Sequence, residues 1–231
     1  MYTFQVIVEL LNATQIPRSL VMDGCVAAGY TGRDQASVHQ HIEELKKLGV
    51  AAPYEIPAFY WISPHRLTQQ AEIQVVGEHT SPEVEFFLAA GNDGSLYLTI
   101  ASDHTDRELE AVSVSKSKQV CDKVLGDTFW SVDDVVNHWN EIEISAKVYH
   151  QGRWIDYQAG TLGQILHYAD LLERIKKDDP GKTAPGLLSG TLPIIGGEAL
   201  YASACEITMR DPVLKRSIVK AYDIVAVPDR S

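Results

Sequence analysis

Cysteine is scarce in this chain: Cys25, Cys121 and Cys205 are its only three, far apart and with no Cys-x-x-Cys spacing. Neither a disulfide framework nor a thiolate zinc site is expected, and buried free thiols in a reducing compartment are. Basic residues are also in short supply, 20 Lys and Arg against 31 Asp and Glu, for a formal net charge of -11. No partnership with nucleic acid or an anionic membrane surface is expected, because binding phosphates needs a basic face that releases counterions. Long hydrophobic runs are missing as well, none approaching the roughly 18 apolar residues of a membrane span. The opening MYTFQVIVELLNATQIPRSLVM is broken by Glu9 and lacks a basic leader and a small-residue cleavage site, so a cytoplasmic protein is expected. Repeats, low-complexity tracts and dividing linkers are absent too.

What remains is the composition of a globular protein, 45% hydrophobic and 22% charged over 231 residues. A chain of this length hides roughly 70% or more of its unfolded surface, enough to fold without staples as one domain over residues 1–231. After the turn Gly29-Tyr30-Thr31-Gly32, Asp34 caps a helix in which Val38, Ile42 and Leu45 fall at i, i+4 and i+7, with Gly49 as its stop. Beyond it the texture changes to short apolar runs punctuated by turn residues. Asn92-Asp93-Gly94 predicts one hairpin and Gln151-Gly152 another. SVDDVVNHWN, capped by Ser131, and TLGQILHYADLLERIKK predict two further helices, and the chain ends in strand texture. The expected fold is therefore mainly β with a few helices. Residues 1–50 read as an N-terminal extension with one helix, packed on a β-rich body from about residue 55 to 231.

The segment Glu83-Val84-Glu85-Phe86-Phe87-Leu88 is the most informative, since strand alternation puts Glu83, Glu85 and Phe87 on one face. If the Asn-Asp-Gly hairpin pairs as its turn suggests, Asp103 returns beside both glutamates. Three neighbouring carboxylates repel one another unless a cation neutralises them. An oxygen-rich set of this kind suits Mg²⁺ or Mn²⁺ better than Zn²⁺. Spacing alone leaves open the other reading, an outward row of acids on a solvated strand.

The string Ser102-Asp103-His104-Thr105-Asp106-Arg107-Glu108-Leu109-Glu110 adds order to the spacing. With it, the chain resembles the fumarylacetoacetate hydrolase superfamily, in which a Glu-x-Glu strand precedes Asn-Asp-x-x-x-Arg-Asp, a lysine, a Gln-x-Gly-x-Thr run and a Gly-Thr-Pro loop. Here Glu83 and Glu85 stand for the first motif, Asp103 for the metal aspartate and Arg107 for the arginine. Lys118 or Lys116 stands for the lysine, and Gln158, Gly160 and Thr161 match the next run. Ser189-Gly190-Thr191-Leu192-Pro193 stands for the loop. The resemblance covers roughly residues 55 to 200. Ser102, Glu108 and Leu192 depart from the pattern, and Glu110 stands where fumarylacetoacetases carry a glutamine. With its GYTGRD and SDHTDRE segments, the chain looks like a small divergent branch of the superfamily, the DUF2848-like proteins.

The resemblance implies a mixed β-sandwich roll, a homodimer, and Mg²⁺-dependent (or Mn²⁺-dependent) chemistry on a 2-oxo acid. Acylpyruvate hydrolysis comes first, with decarboxylation, hydration or isomerisation on the same scaffold as alternatives. It implies Glu83, Glu85 and Asp103 as metal ligands, and Arg107, Lys118, Gln158, Gly190 and Thr191 as substrate contacts. Proton transfer falls to His104, whose ordinary pKa suits it, or to Glu110, with Lys118 countering developing charge. The altered pocket residues keep open a rival from another class, a non-catalytic ligand-binding or interaction protein on the same fold. Gly181-Lys182-Thr183 is no phosphate loop, because Lys176 stands where its first glycine belongs.

Overall fold

The computed structural model describes residues 1–47 and 52–230. The chain opens with three strands, β1 (Tyr2–Glu9), β2 (Gln15–Met22) and β3 (Gly24–Gly29), followed by helix α1 (Gln35–Lys47). Next come β4 (Ala58–Ile62), β5 (Leu67–Thr68), β6 (Glu72–Val76), β7 (Thr80–Ser81), β8 (Val84–Ala90), β9 (Leu96–Asp103) and β10 (Thr105–Asp106). Two short helices, α2 (Arg107–Val112) and α3 (Val114–Val120), lead to β11 (Lys123–Leu125), β12 (Thr128–Ser131) and α4 (Val132–Val135). The hairpin β13 (Glu143–His150) and β14 (Arg153–Thr161) precedes α5 (Tyr168–Asp178). The described chain closes with β15 (Pro185–Leu188), β16 (Ala204–Asp211) and β17 (Arg216–Val227).

Two mixed sheets carry the fold. The larger runs β2-β1-β12-β9-β8-β15-β3-β4, with β11 joining at β9 and β5 at β11; the smaller runs β14-β13-β16-β17-β6. Strand alternation divides the core in two. Val84, Phe86 and Leu88 of β8, with Leu98 and Ile100 of β9, pack toward Ile144, Val148, Ile207 and Met209 of the smaller sheet. The opposite face collects Phe87, Ala89, Ala101, Cys25 and Ala27 with Leu20 and Met22, because the larger sheet rolls until β2 meets the end of β8 at the Leu20–Gly91 bridge. Glu85 shares this inner face with Phe87, so a carboxylate is carried into the roll by the pleat that builds its core. This is the mixed β-sandwich roll, mainly β with a few helices, that the sequence predicts.

Both predicted hairpins form. Gly94 sits at φ +82, and Gln151 and Gly152 sit at φ +49 and +81, the left-handed pair that a two-residue turn requires. Asp34 caps α1 by accepting from the amides of Ala36 and Ser37, and Val38 and Ile42 are buried. The side chain of Leu45 and all of Gly49 lie outside the described residues.

Other expectations are corrected. Residues 1–50 are no extension: β1, β2 and β3 are woven into the larger sheet, with β3 between β15 and β4. β1 pairs with β12 and β3 with β15, both more than a hundred residues away, a distance that local patterning does not register. The helix expected from Thr161 begins only at Tyr168, since Thr161 ends β14 and Leu162–Gln164 make a 3-10 turn. The helix expected over residues 131–140 is one α-turn running into a 3-10 turn. No described helix is long and apolar enough to cross a membrane.

Phe86 joins the two sheets, wholly buried with its ring edge-on to Trp139 at 5.1 Å between centroids. Phe86→Ala is expected to cost about 3–5 kcal/mol, read as a lowered urea midpoint at unchanged slope.

Candidate metal centre

Glu83 immediately precedes β8, Glu85 is its second residue and Asp103 is the last of β9. Pairing Glu85 with Ala101 and Val84 with Ser102, and closing the Asp103 amide on the Glu83 carbonyl at 2.9 Å, sets the three side chains together. One carboxylate oxygen from each lies within 4.8 Å of the others, close enough to converge on one ion. Asp103 is 0% exposed and Glu85 1%.

Cationic side chains hold this concentration of charge. Lys118 of α3 contacts Glu83, approaches Asp103 Oδ2 at 2.9 Å and donates to Thr105 Oγ1 at 3.0 Å. Arg107 opens α2, its Nη1 at 2.9 Å from Glu83 and 2.7 Å from Glu110 Oε2 and its Nε donating to Ser81 at 2.6 Å. Local capping explains the placement. Asp106 caps α2 through the Leu109 amide and Ser113 caps α3 through the Lys116 amide, so two short helices turn Arg107, Glu110 and Lys118 toward the strands. Of the two lysines considered, Lys118 is buried and Lys116 exposed.

Burial raises the Glu83 pKa, but Lys118 and Arg107 outweigh it and bring it down to about 2. Glu85 goes the other way: burial comes first, then the like charge of Asp103, and its carboxyl is pushed well above the usual range. Burial disfavours the Lys118 ammonium, yet Asp103 and Glu83 raise its pKa overall and keep it charged.

The donor set fits a hard divalent ion. Both Asp103 oxygens are fully buried and accept no hydrogen bond among the described residues, although ammonium nitrogens stand 2.9 and 2.7 Å away. Those contacts are charge against charge, off the hydrogen-bonding direction, which leaves lone pairs for a ligand bond. The cluster contains only carboxylates, the donors of Mg²⁺, Mn²⁺ or Ca²⁺ sites rather than zinc sites.

Glu83, Glu85, Asp103, Arg107, Glu110 and Lys118 thus come together. His104 does not join them. Asp103 and Thr105 face Lys118, so strand alternation turns His104 away, where Nε2 meets Thr80 Oγ1 at 2.9 Å and Nδ1 meets Tyr222 Oη at 3.2 Å. Burial, with Lys123 and Arg107 adding to it, lowers its pKa to about 3 and favours the neutral ring.

Gln158 spends its amide within the protein, accepting from the Val84 amide at 2.9 Å and donating to Thr191 Oγ1 at 2.7 Å and the Leu192 carbonyl at 2.5 Å. Thr191 donates its hydroxyl to the Val84 carbonyl at 2.8 Å. The Gly190 amide donates to Glu85 Oε2 at 2.9 Å, at φ +84, and a Cβ there would stand 2.2 Å from Thr31 Oγ1. These three residues, expected as substrate contacts, fix Glu85 and its strand through these hydrogen bonds.

Sequence reasoning missed Lys123. It is 0% exposed on β11, paired with Asp103 at 2.7 Å and donating to the His104 carbonyl at 2.5 Å. Its one legible signal was a lysine in the apolar run KVL, and only the register Lys123↔Asp103 shows what it opposes.

A family model described as "Protein of unknown function (DUF2848)" matches residues 28–222. No curated protein matches the sequence. Among solved structures the chain is similar to 2-keto-3-deoxy-D-arabinonate dehydratase complexed with magnesium and 2,5-dioxopentanoate. The TM-score is 0.64 at 18% identity, covering 95% of this chain and 80% of that one. It is similar to Cg1458 with inhibitor, at TM-score 0.64 and 16% identity, covering 97% and 90%. It is also similar to 4-oxalocrotonate decarboxylase from Pseudomonas putida G7 complexed with calcium and acetate, at 0.54 and 12%, covering 88% and 77%. At such identities the likeness establishes the fold.

Two stability measurements test the electrostatics in metal-chelated buffer. Lys123→Met leaves Asp103 buried with one counterion fewer and is expected to cost about 3–5 kcal/mol in urea. Glu85 is raised in the folded state, so its contribution is present below the unfolded carboxylate pKa and is lost as pH rises through the folded one. Glu85→Gln should therefore gain stability relative to wild type from about pH 4.5 upward. Glu83 is lowered to about 2, and its contribution is present above the unfolded pKa and lost as pH falls toward that value. Glu83→Gln should therefore fall progressively below wild type between about pH 2 and pH 4.5 and stay below it by a constant margin at higher pH.

Proposed function

The chain belongs to the DUF2848 family and carries the fumarylacetoacetate hydrolase fold, and on that footing we propose that it is a divalent-metal-dependent enzyme acting on a 2-oxo acid. The observation that carries the reading is the buried convergence of Glu83, Glu85 and Asp103, with both Asp103 oxygens lacking a hydrogen bond. Two structural neighbours, one complexed with magnesium and one with calcium, support the choice of a hard ion.

Glu83, Glu85 and Asp103 would hold the divalent ion, which when bound would supply Lewis-acid stabilisation to the negative charge that develops on the oxygens of a 2-oxo acid. The chain's own residues do the rest. Lys118 faces the same carboxylates and offers a fixed positive charge to an anionic head group. Arg107 is held by Ser81, Glu83 and Glu110, which places a second fixed positive charge beside the carboxylates. Glu110 is the group assigned to proton movement, since it is 24% exposed beside Arg107 while His104 is sealed away. Hydrolytic carbon-carbon cleavage of an acylpyruvate is the first reading. Dehydration or decarboxylation is the second, favoured by the dehydratase and the decarboxylase among the structural neighbours.

Calorimetric titration of Mg²⁺ and Mn²⁺, with and without oxalate as an enolate mimic, tests the reading on wild type, Glu85→Gln and Asp103→Asn. Wild type is expected to bind metal, and to bind oxalate only with metal present. Each variant should lose metal affinity at least tenfold. Unchanged metal affinity in both variants would overturn the assignment and leave the fold without a metal enzyme's chemistry.

A further inference from the structure

Each carboxylate of the cluster commits one oxygen to a donor on the framework around it. Asp103 Oδ1 faces Lys123 Nζ at 2.7 Å, Glu83 Oε1 faces Arg107 Nη1 at 2.9 Å, and Glu85 Oε2 accepts from the Gly190 amide at 2.9 Å. Lys118 takes the second oxygens of two of them: its Nζ contacts Glu83 Oε2 and stands 2.9 Å from Asp103 Oδ2. Among the described residues no other cation joins two members of the cluster, one beside β8 and one at the end of β9. An ammonium therefore sits where an ion shared by those two strands would have to bind.

The two lysines that face Asp103 are held differently. Lys123 is 0% exposed on β11, packed between β9 and β5, and its ammonium also donates to the His104 carbonyl at 2.5 Å. Lys118 comes from the last turn of the seven-residue α3, and its four-carbon stem is flexible. Its remaining contact, with Thr105 Oγ1 at 3.0 Å, involves no carboxylate. Repulsion decides between an ion and this ammonium. Mg²⁺ holds a carboxylate oxygen at about 2.1 Å, which on Asp103 Oδ2 would leave it no more than about 5 Å from Lys118 Nζ. Like charges that close in a buried site repel strongly, and the doubly charged ion has the stronger hold on the oxygens.

We propose that Lys118 is a tethered stand-in for the metal: without an ion its ammonium ties Glu83 to Asp103, and a divalent ion displaces it from both. The inference rests on the metal reading of the same carboxylates. Thr105 gives the displaced ammonium a pivot, and an anionic head group gives it a new partner. The positive charge stays in the site throughout, and only what it faces changes. Lys123, walled in by two strands, keeps its place on Asp103 Oδ1 in both states.

Reductive methylation of the intact protein, read residue by residue by mass spectrometry with and without saturating Mg²⁺, tests the displacement. Lys118 is expected to react about tenfold faster once Mg²⁺ is bound, the worth of one charge-assisted contact released. Lys116, exposed on the same helix, should react alike in both states. Lys118→Met removes the competitor and should bind Mg²⁺ about tenfold more tightly than wild type by calorimetry. A lysine that only supports the metal site predicts instead a variant that binds no better than wild type. Unchanged protection of Lys118 with Mg²⁺ bound, or no tighter binding by Lys118→Met, overturns the inference and leaves the metal reading standing. Should that variant not fold, the labelling of wild type decides alone. Absence of Mg²⁺ binding by wild type overturns both.

Discussion

The ion pairing of Asp103 is the interaction on which the site depends. A carboxylate with no exposed surface is sustained only by compensating charge, and here two ammonium groups supply it, Lys118 from a helix and Lys123 from the neighbouring strand. Those contacts tie β9 to β11 and to α3. Lys118 also reaches Glu83, which Arg107 holds from the other side, so the pairing extends to β8 and α2. Removing any one cation would leave a buried negative charge under-compensated, and the cost would appear in the fold before it appeared in chemistry.

A second set of contacts fixes Glu85, and it reaches across the whole chain. Glu85 accepts from the Gly190 amide, Gly190 fits only because it has no side chain to strike Thr31, and Thr31 belongs to the turn that ends β3. On the other side, Gln158 of the smaller sheet bonds the amide of Val84 and the loop that holds Thr191. Residues near positions 30, 85, 158 and 190 therefore form one support. The loop that resembles a Gly-Thr-Pro motif also holds the carboxylate strand, through Gly190 to Glu85 and Thr191 to the Val84 carbonyl.

How much of this was legible in the sequence follows from the range of each interaction. The Glu-x-Glu strand, the hairpin returning Asp103 and the caps of the helices are written within about twenty residues, where period-2 alternation and turn chemistry act. The role of Lys123 depends on strand register, and a one-residue slip would have pointed its side chain to the opposite face. The same alternation decided His104: adjacency to Asp103 in sequence made it look available, and adjacency in a strand sends the two side chains opposite ways. The position of β3 depends on pairing with β15, over 150 residues away, for which no local pattern exists. Local chemistry was readable and long-range pairing was not, so the carboxylates, Arg107 and Lys118 were anticipated while Lys123, the second counterion of Asp103, was not.

Charge balance links the metal to its ligand. Glu83, Glu85, Asp103 and Glu110 face Arg107, Lys118 and Lys123, four potential negative charges against three positive ones, and burial beside Asp103 raises the Glu85 pKa, which favours its protonated form and moves the count toward neutral. A divalent ion held by Glu83, Glu85 and Asp103 would compete with that proton and add positive charge in a region of low polarity. An anionic head group would offset it, so each ligand would bind more tightly with the other present, and by linkage the coupling would have the same size whichever came first. The lysines that stabilise the buried carboxylates would weaken the metal's own affinity and so make its retention depend on an anion. A site of pure carboxylates would instead hold its ion tightly and gain little from the acid it acts upon.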